Sequence, residues 1–464
     1  MRAIVCALAS GVGLYFSLGL GEEWWLAWLA PIPVLWFAFG DTKGWQIFVA
    51  AFAAMALGSS SILRAYGGVL PNPVLVLAIG APSLQFAASV VAARRVQRTL
   101  GPLAAMLAFA ALWAALDFLA SFNQDGGAVG TPAAAEVGRP VLIQTASLFG
   151  FVAITFLIGI VSAGIALGLR TRDSRLAGIA IAVFAINAAL GLWRMSTPPS
   201  DRVHVALIES DETVGSVATA DRVATFQAVD AYVAMIETLR EAHVRLIVLP
   251  ENISRVAPQW RMEVQAKLAA AADRAGATIV AGFNTERDGV RHNIAWAFTP
   301  GNSLPSTYEK RRLVPVLESS VYRPGSSPQV LSSGIGLEIC KDMDYPAMLR
   351  SDQIATRPIL LAVPAWDFGA DGWLHARDAI LRSVENGVPT ARSARRGLLT
   401  LNDRYGRLVA RARTVGGFTV LVDDLPLGGR GGDTVYDHIG DVFGWFCVLS
   451  GSVLVAWAFA RRAP

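Results

Sequence analysis

The strongest constraint on this chain is where its apolar residues fall. Residues 1–195 and 442–460 consist of long, nearly uncharged runs, whereas 200–435 carries the charge density of a soluble protein. A helix needs about 20 mostly apolar residues to cross the hydrocarbon core of a bilayer. Eight segments qualify: 3–20, 24–40, 44–63, 70–93, 99–120, 141–169, 176–193 and 442–460. With 53% hydrophobic and only 16% charged residues over 464 positions, the chain cannot be a purely cytosolic enzyme or a disordered one. It is not a bare bundle either, because the intervening stretch of roughly 235 residues is long enough for its own core. In segment 24–40, Pro31 and Pro33 with Trp24, Trp25 and Trp28 leave a re-entrant or interfacial element as an alternative to a crossing.

Short-flank cations give an orientation. With the N-terminus inside, Arg2, Lys43, Arg94, Arg95, Arg98, Arg170, Arg172, Arg175, Arg461 and Arg462 are cytoplasmic, against Arg64, Arg139 and Arg194 outside. Seven crossings then place 200–435 outside the cytoplasm, and the eighth returns the chain. Trp193, Trp445 and Trp457 suit interfacial anchors. The expected organisation is a seven-helix region over 1–195, an extracytoplasmic domain over 200–427, a Gly-rich connector over 428–441, and a last helix with its tail over 442–464. A net charge of +4 without a basic block interleaved with aromatics argues against nucleic acid as a partner.

Between 203 and 423, strand-like and helix-like periods alternate, with several strands in direct succession. That pattern predicts a layered α/β sandwich. Three residues there stand just past a strand or in a loop, where side chains can converge: Glu251 in LIVLPEN, Lys310 in YEKRRLVP and Cys340 in GLEICKDMDYP. Cys6 and Cys447 fall inside predicted spans, so Cys340 is the lone thiol of a domain placed where thiols usually pair. A thiol needs a base or a cation to become a nucleophile at neutral pH, and a carboxylate and an ammonium supply both, together with oxyanion stabilisation. Singly, a Glu after a strand is a turn or cap, and a Lys beside Arg311 and Arg312 is surface. His204, His243, His292, His375 and His438 show no metal-ligand spacing, so neither a metal nor an organic cofactor is expected.

The order Glu–Lys–Cys in the settings PE, YxKxxLVP and C-x-D-x-x-x-P resembles the nitrilase, or carbon–nitrogen hydrolase, superfamily. Its insertion before a last membrane helix resembles one membrane branch, the apolipoprotein N-acyltransferases. LAWLAPIPVLWF at 26–37, LIQTASLFGFVAITFLIG at 142–159, the stretch 364–397 and Thr434, Tyr436, Gly440 and Asp441 are similar to that family as well. The resemblance implies eight transmembrane helices plus a nitrilase-like αββα sandwich at the outer face of a bacterial inner membrane. It implies Cys340 as acylated nucleophile, Glu251 as base and Lys310 as oxyanion stabiliser, with Glu318, Lys341, Asp342 and Trp366 in support. A phospholipid would donate the acyl chain and an apolipoprotein would accept it. Lys341-Asp342, where the family has Tyr-Glu, Leu249-Pro250 before the glutamate, and a 121–140 loop without Gly-Phe-Pro-Trp resemble soluble members. They keep open a membrane-anchored amidase or hydrolase, and a non-catalytic binding protein stands as a further alternative. The added charge of Lys341 is expected to lower the thiol pKa.

Overall fold

The computed structural model describes all residues except 199–200, 213–214, 216, 415, 429 and 462–464. Arg462 of the orientation count, Gly429 of the connector and the boundary at 200 therefore lie outside the described residues. The chain divides into two compact units, one made of Met1–Thr197 with His438–Pro464 and the other of Pro198–Asp437.

Among the described residues of the first unit, six helices are long and apolar enough to cross a membrane: Gly44–Tyr66, Asn72–Leu100, Pro102–Ala120, Phe151–Thr171, Ser174–Arg194 and Val442–Ala460. At 1.5 Å per residue these span roughly 28–43 Å. Two predicted crossings are shorter. The first is Arg2–Ser17, and the second is Trp24–Leu29 and Pro31–Ala38 joined through Ala30, with Pro31 at the first helical position of its helix. The predicted span 141–169 needs correcting at its start. The helix begins at Phe151, because Gly150 adopts a positive φ of 73° and the preceding residues form only short turns at Pro140–Leu142 and Ala146–Phe149. Close helix approach depends on small residues: a Cβ on Gly58 would lie 2.5 Å from Leu14 Cβ, so the helices Arg2–Ser17 and Gly44–Ser59 meet through that gap. Within the 121–140 loop, Pro132–Val137 is buried in this unit.

Among the described residues, the second unit holds thirteen strands. They are β1 (Arg202–Ser210), β2 (Leu246–Val248), β3 (Arg255–Val256), β4 (Thr278–Arg287), β5 (Val290–Phe298), β6 (Ser306–Glu309), β7 (Gln329–Val330), β8 (Ile335–Leu337), β9 (Leu360–Trp366), β10 (Thr390–Arg395), β11 (Leu398–Asn402), β12 (Leu408–Arg413) and β13 (Phe418–Pro426). They form two sheets, ordered β13-β1-β2-β4-β5-β6, with β3 beside β4, and β12-β11-β10-β9-β8-β7.

The two-residue period of the strands builds the layers. Val205, Leu207, Leu246, Val248, Val280, Ala295 and Ala297 of the first sheet pack with Leu337, Leu360, Ala362, Ala391, Leu399 and Leu401 of the second in one core. The alternate residues Ala206, Ile208, Ile247 and Ile279 face outward onto Val229, Tyr232, Val264 and Leu268 of the helices Arg222–Glu237 and Arg261–Ala275. On the far side, Leu361 and Val363 meet Leu349 and Ala379 of the helices Pro346–Thr356 and Gly372–Asn386. The result is a layered α/β sandwich, as the alternation implied, in the helix–sheet–sheet–helix order that the family resemblance implied.

Candidate active site

Glu251 leaves the end of β2 through Pro250, and its backbone N–H donates to Ala365 O of β9, in the opposite sheet, at 3.2 Å. This tie carries the side chain into the space between the sheets, where it is only 2% exposed. Gly282 of β4 makes room for it: a Cβ there would fall 2.5 Å from Glu251 Cα and 2.6 Å from Pro250 O. Lys310 follows β6, and its backbone N–H donates to Asn293 O at 2.9 Å. Its ammonium, 1% exposed, donates to Glu251 Oε1 and to Glu318 Oε2, each at 2.8 Å. Cys340 begins the turn Cys340–Asp344 at φ 44°, a left-handed conformation uncommon for a residue with a Cβ. Its Sγ lies 3.6 Å from Trp366 O.

Charges bind these three groups together electrostatically. Burial pushes the Cys340 thiol well above the ordinary range and Glu251 pushes it further, while Lys310 and Arg392 pull the other way. Glu251 is likewise raised, by burial first, with the Lys310 ammonium opposing. Burial disfavours the Lys310 ammonium, but Glu251, Glu318 and Cys340 outweigh it and hold the group well above its ordinary value. Burial and Glu251 together disfavour a standing thiolate at Cys340, an arrangement suited to deprotonation by a neighbouring base.

The supporting residues separate. Asp342, fully buried, accepts from the backbone N–H groups of Ile339, Arg311 and Arg312 at 3.1, 3.2 and 2.8 Å and from Tyr308 Oη at 2.8 Å, fixing the turn that carries Cys340. Trp366 offers its carbonyl to the thiol and its ring to Arg395, 4.2 Å away. Lys341 corrects the expectation set on it. Its Nζ lies 3.3 Å from Asp344 Oδ2 and over the Tyr345 ring, and the cations acting on the thiol are Lys310 and Arg392.

Sequence reasoning missed Asn293, whose Nδ2 donates to Glu251 Oε1 at 2.6 Å and to Glu318 Oε1 at 2.9 Å. It also missed Arg392, which pairs with Asp367 in a buried fork, Nη1 to Oδ2 at 3.0 Å. The signal for Asn293 was present: it shares the inter-sheet face of β5 with Ala295 and Ala297, and an amide in a buried apolar strand needs partners.

A two-sheet α/β sandwich with a buried carboxylate and ammonium and a half-buried thiol converging between its strand ends is the architecture of carbon–nitrogen hydrolases. Residues 212–423 match the carbon-nitrogen hydrolase family model, and residues 10–164 match the model of the apolipoprotein N-acyltransferase N-terminal domain. The chain belongs to the apolipoprotein N-acyltransferase family, within the carbon–nitrogen hydrolase superfamily. It is 24% identical over 520 aligned positions to the apolipoprotein N-acyltransferase of Geobacter metallireducens, covering 100% of this chain and 96% of that one. To the Allorhizobium ampelinum protein of the same name it is 25% identical, over 86% of this chain and 79% of the relative. Among solved structures, the nitrilase-superfamily protein Nit3 of Saccharomyces cerevisiae is similar at TM-score 0.41 and 19% identity, over 53% of this chain and 96% of that one. A carbon-nitrogen hydrolase from Helicobacter pylori G27 is similar at TM-score 0.41 and 16% identity, over 56% and 95%.

Proposed function

We propose that this multi-pass membrane protein transfers a fatty acyl chain from a phospholipid to the N-terminal amine of a diacylglyceryl-cysteine apolipoprotein, through a thioester on Cys340. Glu251 takes the proton of the Cys340 thiol as sulfur attacks the ester carbonyl. Lys310 stabilises the oxyanion of the tetrahedral intermediate, and the lysophospholipid alkoxide leaves with the proton returned by Glu251. The amine then attacks the thioester, gives a proton to Glu251, and expels the sulfur, which regains that proton. Two easier steps replace one hard one. The observation that carries this reading is the shared Lys310 ammonium, bonded to Glu251 and Glu318 at equal distances and raised in part by Cys340.

The placement follows from the membrane half. On this reading Arg2–Ser17 and Trp24–Ala38 cross with the six long helices, and the catalytic domain faces the periplasm from the inner membrane; the cation asymmetry of the flanks supports that orientation. A lipid substrate accounts for fusing a hydrolase-like domain to a bundle, because carrying two acyl chains to a detached site would expose CH₂ groups at about 0.8 kcal/mol each. The amidase or hydrolase alternative rested on Lys341-Asp342 and Leu249-Pro250. The match of 10–164 to the acyltransferase N-terminal domain weighs against it.

The test is intact-mass analysis of detergent-purified protein incubated with phospholipid, followed by addition of a diacylglyceryl peptide. The expected result is a mass gain of one acyl chain on wild type, discharged to N-acyl peptide, and no gain on Cys340→Ala. Release of free fatty acid without N-acyl peptide would sink the transferase reading.

A further inference from the structure

We propose that Asp344, His375 and Asp378 form a site for a divalent transition cation, Zn²⁺ foremost, that ties the turn carrying Cys340 to the helix Gly372–Asn386. One ligand atom from each of the three residues lies within 4.8 Å of the others. His375 and Asp378 are three residues apart on one face of that helix. Asp344 closes the Cys340–Asp344 turn.

Two features, the state of Asp378 and the presence of Asp371, favour a cation over a cluster satisfied by itself. Asp378 is 2% exposed, yet neither of its carboxylate oxygens has a hydrogen-bond partner among the described residues. A buried carboxylate left in that state is costly unless something positive meets it. The neighbouring cations do bear on the cluster: Arg377 and Arg382 act electrostatically on Asp378, although Arg382 Nη1 lies 2.8 Å from Glu385 and Arg377 lies over the Trp373 ring, and Lys341 reaches Asp344 Oδ2 at 3.3 Å. Asp371 Oδ2, 3.3 Å from His375 Nε2, adds a third carboxylate to the surroundings.

Two carboxylates and an imidazole are a donor set for first-row divalent ions, among which Zn²⁺ binds tightly. Donor atoms around tetrahedral Zn²⁺ sit about 3.4 Å apart, so the trio would need to draw in by about 1 Å, within reach of side-chain rotation. Sequence spacing gave no hint of this, because one ligand comes from a segment some thirty residues upstream of the other two. Metal binding here is independent of the acyl-transfer reading, so failure of one leaves the other standing.

The experiment uses untagged full-length protein in detergent, stripped with EDTA, desalted, and titrated with Zn²⁺ alone. Bound metal is counted by mass spectrometry, and Co²⁺ replaces Zn²⁺ for absorption spectra. Wild type should retain about one Zn²⁺ per chain and melt at higher temperature with it. Cys340→Ser should bind the same amount. Asp378→Asn, which keeps the shape of the side chain, should weaken binding by at least the roughly 10–100-fold seen for lesser perturbations around metal ligands. If Asp378→Asn fails to melt cooperatively, the wild-type Co²⁺ spectrum decides: ligand-field bands support the site, and their absence overturns it. Absence of stoichiometric Zn²⁺ on wild type, equal binding by Asp378→Asn, or loss only in Cys340→Ser would each overturn it.

Discussion

Lys310 Nζ donates to Glu251 Oε1 at 2.8 Å, and the same oxygen receives Asn293 Nδ2 at 2.6 Å. One carboxylate oxygen thus accepts from two buried donors, and in the proposed mechanism Oε2 is the oxygen that takes the proton of Cys340. Replacing Lys310 by Met should lower kcat by about 10²–10³-fold, the loss typical of removing one oxyanion donor. Glu318→Gln, which removes only one of the two anions on the ammonium, should cost less. Equal turnover by Lys310→Met and wild type would end the oxyanion assignment.

Alkylation by iodoacetamide separates the charge of Glu251 from its role as base. Glu251 raises the Cys340 thiol, so Glu251→Gln should lower that thiol's pKa and leave it under Lys310 and Arg392. More thiolate at pH 8 means faster alkylation in the variant, while acyl transfer falls. Slower labelling together with normal transfer would contradict the assigned role.

Gly282→Ala should damage catalysis although residue 282 touches no substrate. The added Cβ meets Glu251 Cα at 2.5 Å and Pro250 O at 2.6 Å, both backbone atoms that cannot swing aside. Displacing the base by a fraction of an ångström to one ångström costs up to about 10²-fold in rate. The expected signature is reduced kcat with near-normal phospholipid KM; unchanged kcat would show that the loop relaxes freely.

Arg311 is a stability residue. Its guanidinium pairs with buried Asp352, lies 3.3 Å from buried Glu338 and donates to Tyr308 Oη at 3.1 Å. Arg311→Ala strands two carboxylates and should destabilise the domain by about 3–5 kcal/mol, as breaking a buried pair does. Denaturant melts of the detergent-solubilised protein read this directly. A loss below about 1 kcal/mol, the scale of exposed pairs, would mean water replaces the guanidinium.

Glu209 gives a pH-dependent test. It is fully buried at the end of β1, and burial, with Asp211 adding, raises it from 4.5 to about 9. A raised carboxyl must stay protonated to remain folded at low cost. Its penalty is absent below about pH 4.5 and grows as pH rises toward 9. Glu209→Gln should therefore melt like wild type near pH 5 and progressively higher than wild type between pH 6 and 9. A constant difference across that range would show that the carboxylate is ionised and satisfied.

Much of this architecture was legible because apolar period encodes it. Runs such as VHVALIE and RLIVL became β1 and β2, and the uncharged runs became the helices of the membrane unit. Boundaries failed where a single residue overrides a periodic signal. Gly150 delays a helix by ten residues, and Asp221 caps a helix that hydrophobicity alone would begin earlier. Short edge strands β3, β6 and β7 carry too few residues to show a period. Glu251, Lys310 and Cys340 could be picked out because each follows a strand in an otherwise recognisable setting. Asn293, Tyr308 and Asp342 form the network beneath them by contacts across 25 to 42 positions, which no local pattern reports.

Cys340 stands at φ 44°, where a side chain strains the backbone by about 1–3 kcal/mol. Glycine would occupy that position without strain. Thermodynamic drift at position 340 therefore runs toward silence: the change that best relaxes the elbow also deletes its sulfur. Cys340→Gly should melt above Cys340→Ala, and a lineage released from the need to acylate would have its easiest gain in sturdiness at the very atom that defines the trade.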